Sequence, residues 1–141
     1  MIVDKVTLTR LLDKLKHKLA KLETMEFGLD EIREDEDIQG LVDRRLQVAI
    51  ESCIDMVTMV IAALSLKRQD EAADVFRELA RANIISKKLS EKLVDACGLR
   101  NVLVHECVDV DYNVVYKTKN EDLDNLREFA KAVSKLLEKD K

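Results

Sequence analysis

Between Ile38 and Leu64, apolar side chains cover most of the circumference of a helical wheel. Ile38, Leu41, Val42, Leu46, Ala49, Ile50, Cys53, Ile54, Val57, Val60, Ile61 and Leu64 recur at helical spacing, and Val48, Met56 and Met59 widen the stripe. The pattern predicts one long helix from near Asp37 to about Lys67. A helix apolar on so many sides is the central element of a bundle, or it also packs against a second subunit. The rest of the chain agrees. It has no proline, three glycines and 37 % charged residues, a balance that reads as all-helical.

Around this element the periodicity places four more helices. Leu8, Leu12, Leu15, Leu19 and Leu22 step by four and three, which predicts a helix over about Asp4–Glu23. Seven acids between Glu26 and Asp37, together with Gly28, read as a solvated connection whose last members favour the start of the next helix. A shorter amphipathic helix is expected over Gln69–Ala82. Ser86 then serves as the N-cap of a fourth helix that carries Leu89, Leu93, Ala96 and Arg100 and runs out near His105. Gly98 within it is expected to mark close packing. Tyr112–Tyr116 is expected to form one or two turns, with both hydroxyls at the surface, and the last helix spans about Glu121–Glu138. Residues 1–141 thus form one domain, an all-α antiparallel bundle of about five helices.

A net charge of −4 argues against a broadly basic, nonspecific nucleic-acid binder, but not against a local basic cleft. Cys53, Cys97 and Cys107 are widely spaced and read as small buried hydrophobes in a reducing cytosol. His105 and Cys107 lack a second pair of ligands, so no metal or cofactor is expected. Met1–Arg10 has no long apolar run behind a basic start, and Met56–Leu66 is too short to span a membrane. A soluble cytoplasmic protein is expected.

The chemically distinctive stretch is Arg100-Asn101-Val102-Leu103-Val104-His105. A guanidinium beside an imidazole is the minimum equipment for metal-free attack on a phosphodiester: one group holds phosphate oxygens as charge builds, the other moves a proton. On an ideal helix a five-residue step rises about 7.5 Å and turns through roughly 140°. The two side chains then diverge unless the backbone loosens at the histidine or a second chain completes the surface. Arg44 and Arg45 admit two readings: surface charge paired locally with Asp43, or phosphate contact in the same cleft as Arg100.

The order of segments is also distinctive. It runs Asp43-Arg44-Arg45-Leu46-Gln47-Val48-Ala49-Ile50-Glu51, then Val75-Phe76-Arg77-Glu78-Leu79-Ala80, Ile84-Ile85-Ser86, the Arg100–His105 stretch and Val108–Tyr116. Over nearly its whole length the chain resembles the HepT family of HEPN-domain proteins, the toxin halves of HepT/MntA toxin–antitoxin modules. The resemblance implies a HEPN helical bundle acting as a homodimer. In it, Arg-x4-His pairs from two protomers face one cleft and cleave RNA without metal. Arg100 and His105 hold the motif positions, and Asn101 is one of the polar residues common after the arginine. An MntA-type nucleotidyltransferase antitoxin is the implied partner. The family's motif continues to a tyrosine that this antitoxin modifies with AMP. Here that position is Cys107, and a thiol is no equivalent target. The competing reading is a non-catalytic dimeric HEPN module in which Arg100 and His105 bind a nucleotide or RNA, or anchor the helix end.

Overall fold

The computed structural model describes residues 4–105 and 109–139. The chain opens with α1 (Lys5–Thr24), α2 (Leu29–Glu34), α3 (Glu36–Ala63) and α4 (Ala72–Arg81). It continues with α5 (Lys87–Val104), α6 (Tyr112–Lys117) and α7 (Leu123–Lys139), and a π-helical turn over Thr118–Asp122 joins the last two. The described residues include no strand. The expected all-α bundle is present, and α3 is its centre, packing against α1, α2, α4, α5 and α7.

Local chemistry explains the element boundaries. Asp4 caps α1, accepting from the Thr7 N–H at 3.0 Å and the Thr7 hydroxyl at 2.7 Å. The five leucines of the α1 stripe are all buried, each worth about 1.5–3 kcal/mol as area removed from water. Asp35 caps α3, accepting from the N–H groups of Asp37 and Ile38. Val42, Leu46, Ala49, Cys53, Val57 and Val60 then form the buried spine of that helix. Phe76 of α4 meets Phe129 of α7 edge to face, with centroids 5.5 Å apart, which ties the middle of the sequence to its last helix in one core.

Several expectations are corrected. The acidic connection contains α2. Ile32 is fully buried beneath it, and the Glu31 carboxylate accepts from the Gly28 N–H at 3.0 Å. The Gln39 amide then closes the end of α2 by donating to the carbonyls of Ile32 and Arg33. One buried apolar residue and two sets of end contacts outweigh the solvated acids. α3 stops before Lys67, because Ser65 turns left-handed (φ 55°) and the Leu66 N–H bonds back to the Ile61 carbonyl, a Schellman-type closure. Gly98 does not mark close packing: it is exposed, and an added Cβ would meet nothing within 4 Å. Tyr116 and Leu123 are not separated by a break, since the π-turn carries the helical path through. Finally, α3 as a whole is long and apolar enough to cross a membrane, although Met56–Leu66 alone is not. Burial of 56 % of its most apolar window inside the bundle is the position of a core helix.

Candidate active site at the C-terminal end of α5

Ser86 starts α5 as expected, its hydroxyl oxygen accepting from the Leu89 N–H at 3.0 Å. Leu89, Leu93 and Cys97 then recur every four residues and are buried. Arg100 follows Cys97 by three, so it continues the inward side of the helix and is half-buried, whereas Asn101 is exposed. The Arg100 Nε is buried without a hydrogen-bond partner. Burial pushes the Cys97 thiol up to about 11, with the Arg100 charge pulling the other way. The guanidinium thus sits close enough to Cys97 for its charge to be felt there, with its Nε shut off from solvent.

His105 is the residue at which α5 ends. Its backbone leaves the helical region (φ −92°, ψ 99°), and its N–H makes a final bond to the Val102 carbonyl at 3.3 Å. The side chain is exposed. The backbone therefore loosens at the histidine, one of the two conditions under which the two side chains need not diverge. Cys107 lies outside the described residues.

The structure bears on one of the two readings of Arg44 and Arg45, the local ion pair. Arg44 is exposed and Arg45 half-buried, and neither forms an ion pair among the described residues. The expected local pair with Asp43 is absent because Asp43 has another partner: the Tyr112 hydroxyl donates to its Oδ2 at 2.6 Å. That also corrects the placement of the Tyr112 hydroxyl, which is turned inward rather than lying at the surface. Burial pushes the Asp43 carboxyl above its ordinary range, opposed by the Tyr112 bond. The Tyr112 hydroxyl is raised by burial first, then by its bond to Asp43 and the charge there. The signal for this pair was in the sequence. Asp43 precedes Leu46 by three and Ile50 by seven, so it stands on the apolar stripe of α3, where an acid needs a donor.

Cys53 and Cys97 are buried free thiols, matching their expected role as small hydrophobes, and burial raises the Cys53 thiol strongly. Among the described residues no group of three or more His, Cys, Asp or Glu side chains is arranged to hold a metal ion. The arrangement at the end of α5 offers a half-buried fixed cation, an exposed imidazole and exposed amide chemistry at Asn101.

The profile of the family described as "Ribonuclease HepT-like" matches residues 15–133. A protein of Archaeoglobus fulgidus named "Putative RNase" is 33 % identical over 125 residues, covering 86 % of this chain and 93 % of the relative. The "mRNA nuclease HepT" of Shewanella oneidensis is 25 % identical over 115 residues, covering 82 % of this chain and 86 % of the relative. In three dimensions the chain superposes with TM-score 0.84 on a tri-AMPylated Shewanella oneidensis HEPN toxin solved in complex with its MNT antitoxin. That match has 23 % identity and covers 90 % of this chain and 96 % of the other. The structural likeness shows the shared HEPN fold.

Proposed function

Because this chain belongs to the ribonuclease HepT-like family, we propose that it is a metal-independent endoribonuclease toxin of a HepT/MntA-type module. It works in the cytoplasm as a homodimer, with Arg100 and His105 of both protomers facing one cleft. The observation that carries this reading is the end of α5, where a half-buried guanidinium with an unpartnered Nε precedes an exposed imidazole at the residue that leaves the helix.

The chemistry follows from those groups. The imidazole of His105 accepts the proton of a ribose 2′-hydroxyl as its oxygen attacks phosphorus. The P–O5′ bond breaks, leaving a 2′,3′-cyclic phosphate, and the histidine of the second protomer, which enters the step as imidazolium, protonates the departing oxygen. Arg100 holds the phosphate oxygens, and its partial burial strengthens that contact relative to one made in open water. Asn101 supports the same phosphate with amide hydrogen bonds, and Arg44 and Arg45 hold RNA beside it. A partner subunit is supported by large apolar side chains left in solvent close to these residues along the chain. Val104 adjoins His105 and Leu41 precedes Arg44 by three, and they are 40 and 49 % exposed. An MntA-type nucleotidyltransferase is the proposed antitoxin. With Cys107 at the family's tyrosine position, it acts here by covering the cleft.

Purified protein assayed on RNA in chelator tests the proposal, with His105→Ala prepared identically to control for contaminants. Cleavage by the parent alone, leaving cyclic phosphate ends and sparing DNA, is the expected result. Equal cleavage by both proteins, or by neither on several RNAs, replaces the nuclease with a non-catalytic HEPN binding module.

A further inference from the structure

The surface leading away from Arg100 carries a charge pattern that cleavage itself does not use. Two depressions line the seam between α5 and the helical path of Tyr112–Lys139. One, about 250 Å³, runs past Lys92, Ala96 and Leu99 of α5 opposite Val114 and Lys117, and reaches the turn of α5 that also carries Arg100. The other, about 350 Å³, sets Ser86 and Leu89 of α5 against Lys131, Lys135 and Lys139 of α7. From Ser86 to Leu99 the helix rises about 20 Å, so the two depressions lie in succession along the side of α5 that faces residues 114–139, the one past Leu99 at the turn that carries Arg100.

Lys131, Lys135 and Lys139 recur every four residues, which places them on one face about 6 Å apart along the axis. Five lysines line the seam against three acids, Asp95, Asp122 and Glu128, in a chain whose net charge is −4. All five are exposed, and among the described residues none is drawn into an ion pair by those acids. A file of ammonium groups at a regular rise, none of them held in an ion pair among the described residues, complements a strand that carries one phosphate per unit. No aromatic side chain lines either depression, so base stacking is not the source of affinity.

We infer that this seam is a binding track for single-stranded RNA, with phosphates along Lys131, Lys135 and Lys139 when the scissile phosphate is at Arg100. The inference rests on the ribonuclease reading and adds where the rest of the substrate lies. Affinity drawn from phosphates alone is sequence-tolerant and falls steeply with salt.

The test measures binding of a labelled oligoribonucleotide of about 15 residues, within the range of single-strand sites. It is made on full-length His105→Ala protein, so that cleavage does not interfere. Adding Lys131→Gln, Lys135→Gln and Lys139→Gln together is expected to flatten the plot of log affinity against log salt by about 2, and to weaken binding roughly a hundredfold at 0.1 M salt. The matching triple arginine variant keeps the charge and is expected to bind like its parent. Circular dichroism and the elution volume of both variants verify that fold and assembly are intact. Unchanged affinity and slope in the glutamine variant, or equal losses in both triples, overturns the track, as does a parent that binds no RNA. The readout is separate from cleavage. A parent that binds through these lysines but never cuts RNA would remove the nuclease and leave the track standing.

Discussion

The Tyr112 hydroxyl donates a 2.6 Å hydrogen bond to Asp43 Oδ2, fastening the first turn of α6 to α3 across the middle of the sequence. It is the one donor to that carboxylate among the described residues, and Asp43 Oδ1 is buried with no partner at all. Tyr112→Phe therefore leaves both oxygens unsatisfied in a partly desolvated place. A loss of about 1.5–3 kcal/mol is expected, the range for a hydrogen bond to a charged group. Urea denaturation of Tyr112→Phe measures it, and the same substitution in an Asp43→Leu background should cost clearly less. Equal costs in both backgrounds would mean that the hydroxyl contributes through something other than Asp43.

The same carboxylate makes stability depend on pH. Burial raises its folded-state pKa above the ordinary 3.8, so the native state holds the proton more tightly than the unfolded chain does. The cost of ionising it is absent below pH 3.8, grows as pH rises and is complete above the raised value. Asp43→Asn keeps an acceptor for Tyr112 and removes that cost. Whatever constant offset the amide brings, the stability of Asp43→Asn relative to the parent should rise from acid to neutral pH. Parallel denaturation curves at pH 4 and pH 7 check this, and a gap that shrinks toward neutral pH contradicts it.

Two helices close on residues that are not glycine. Ser65 (φ 55°) ends α3 and Asn83 (φ 61°) ends α4, each followed by the backbone bonds of a Schellman-type turn. The left-handed region costs an ordinary L-residue about 1–2 kcal/mol, and asparagine tolerates it better than serine. Ser65→Gly should therefore raise the melting temperature, by a net of about 1 kcal/mol after the added chain entropy. Asn83→Gly should give less. Thermal melts of the two variants rank them, and a larger gain at Asn83 would show that something other than backbone strain sets these turns.

Gly98 sits inside α5, and an added methyl would meet no atom within 4 Å. Nothing at that position repays the flexibility of glycine. Gly98→Ala is expected to stabilise the protein by about 0.8–1 kcal/mol, the full helix-propensity difference. Loss of stability in a denaturant titration would mean that a second molecule approaches this face of α5.

How much of this was legible depends on the range of the forces involved. The leucine stripe of α1, the long apolar face of α3 and the Ser86 cap follow from periodicity and short-range hydrogen bonds, so sequence reading located them within a few residues. α2 was missed because its six residues are dominated by acids, and its stability comes from one buried isoleucine and from Gln39, contacts that periodicity does not register. The Asp43–Tyr112 pair was half visible, as an acid on an apolar stripe. Its partner, 69 positions later, required the fold. Arg100 and His105 were found by residue type and spacing, whereas the release of His105 from the helix is a backbone fact. The end of Ser65's helix was hidden by the absence of the glycine that usually announces such a turn.

Arg100 sets local stability against function. Its Nε is buried without an acceptor, and an unsatisfied buried polar group costs about 1–3 kcal/mol. The rest of the side chain is half-buried stem along α5, which an unbranched apolar residue can replace. Arg100→Met should therefore leave the isolated protein as stable as the parent or more so, while abolishing RNA cleavage if the guanidinium holds the scissile phosphate. Arg100→Lys keeps the charge but not the planar fork, and should recover only a small part of the activity. Denaturation and cleavage assays on the same preparations decide the matter. A destabilised and inactive Arg100→Met would make the arginine a structural anchor. A stable and inactive one would mean that its unpaired nitrogen is held for a ligand.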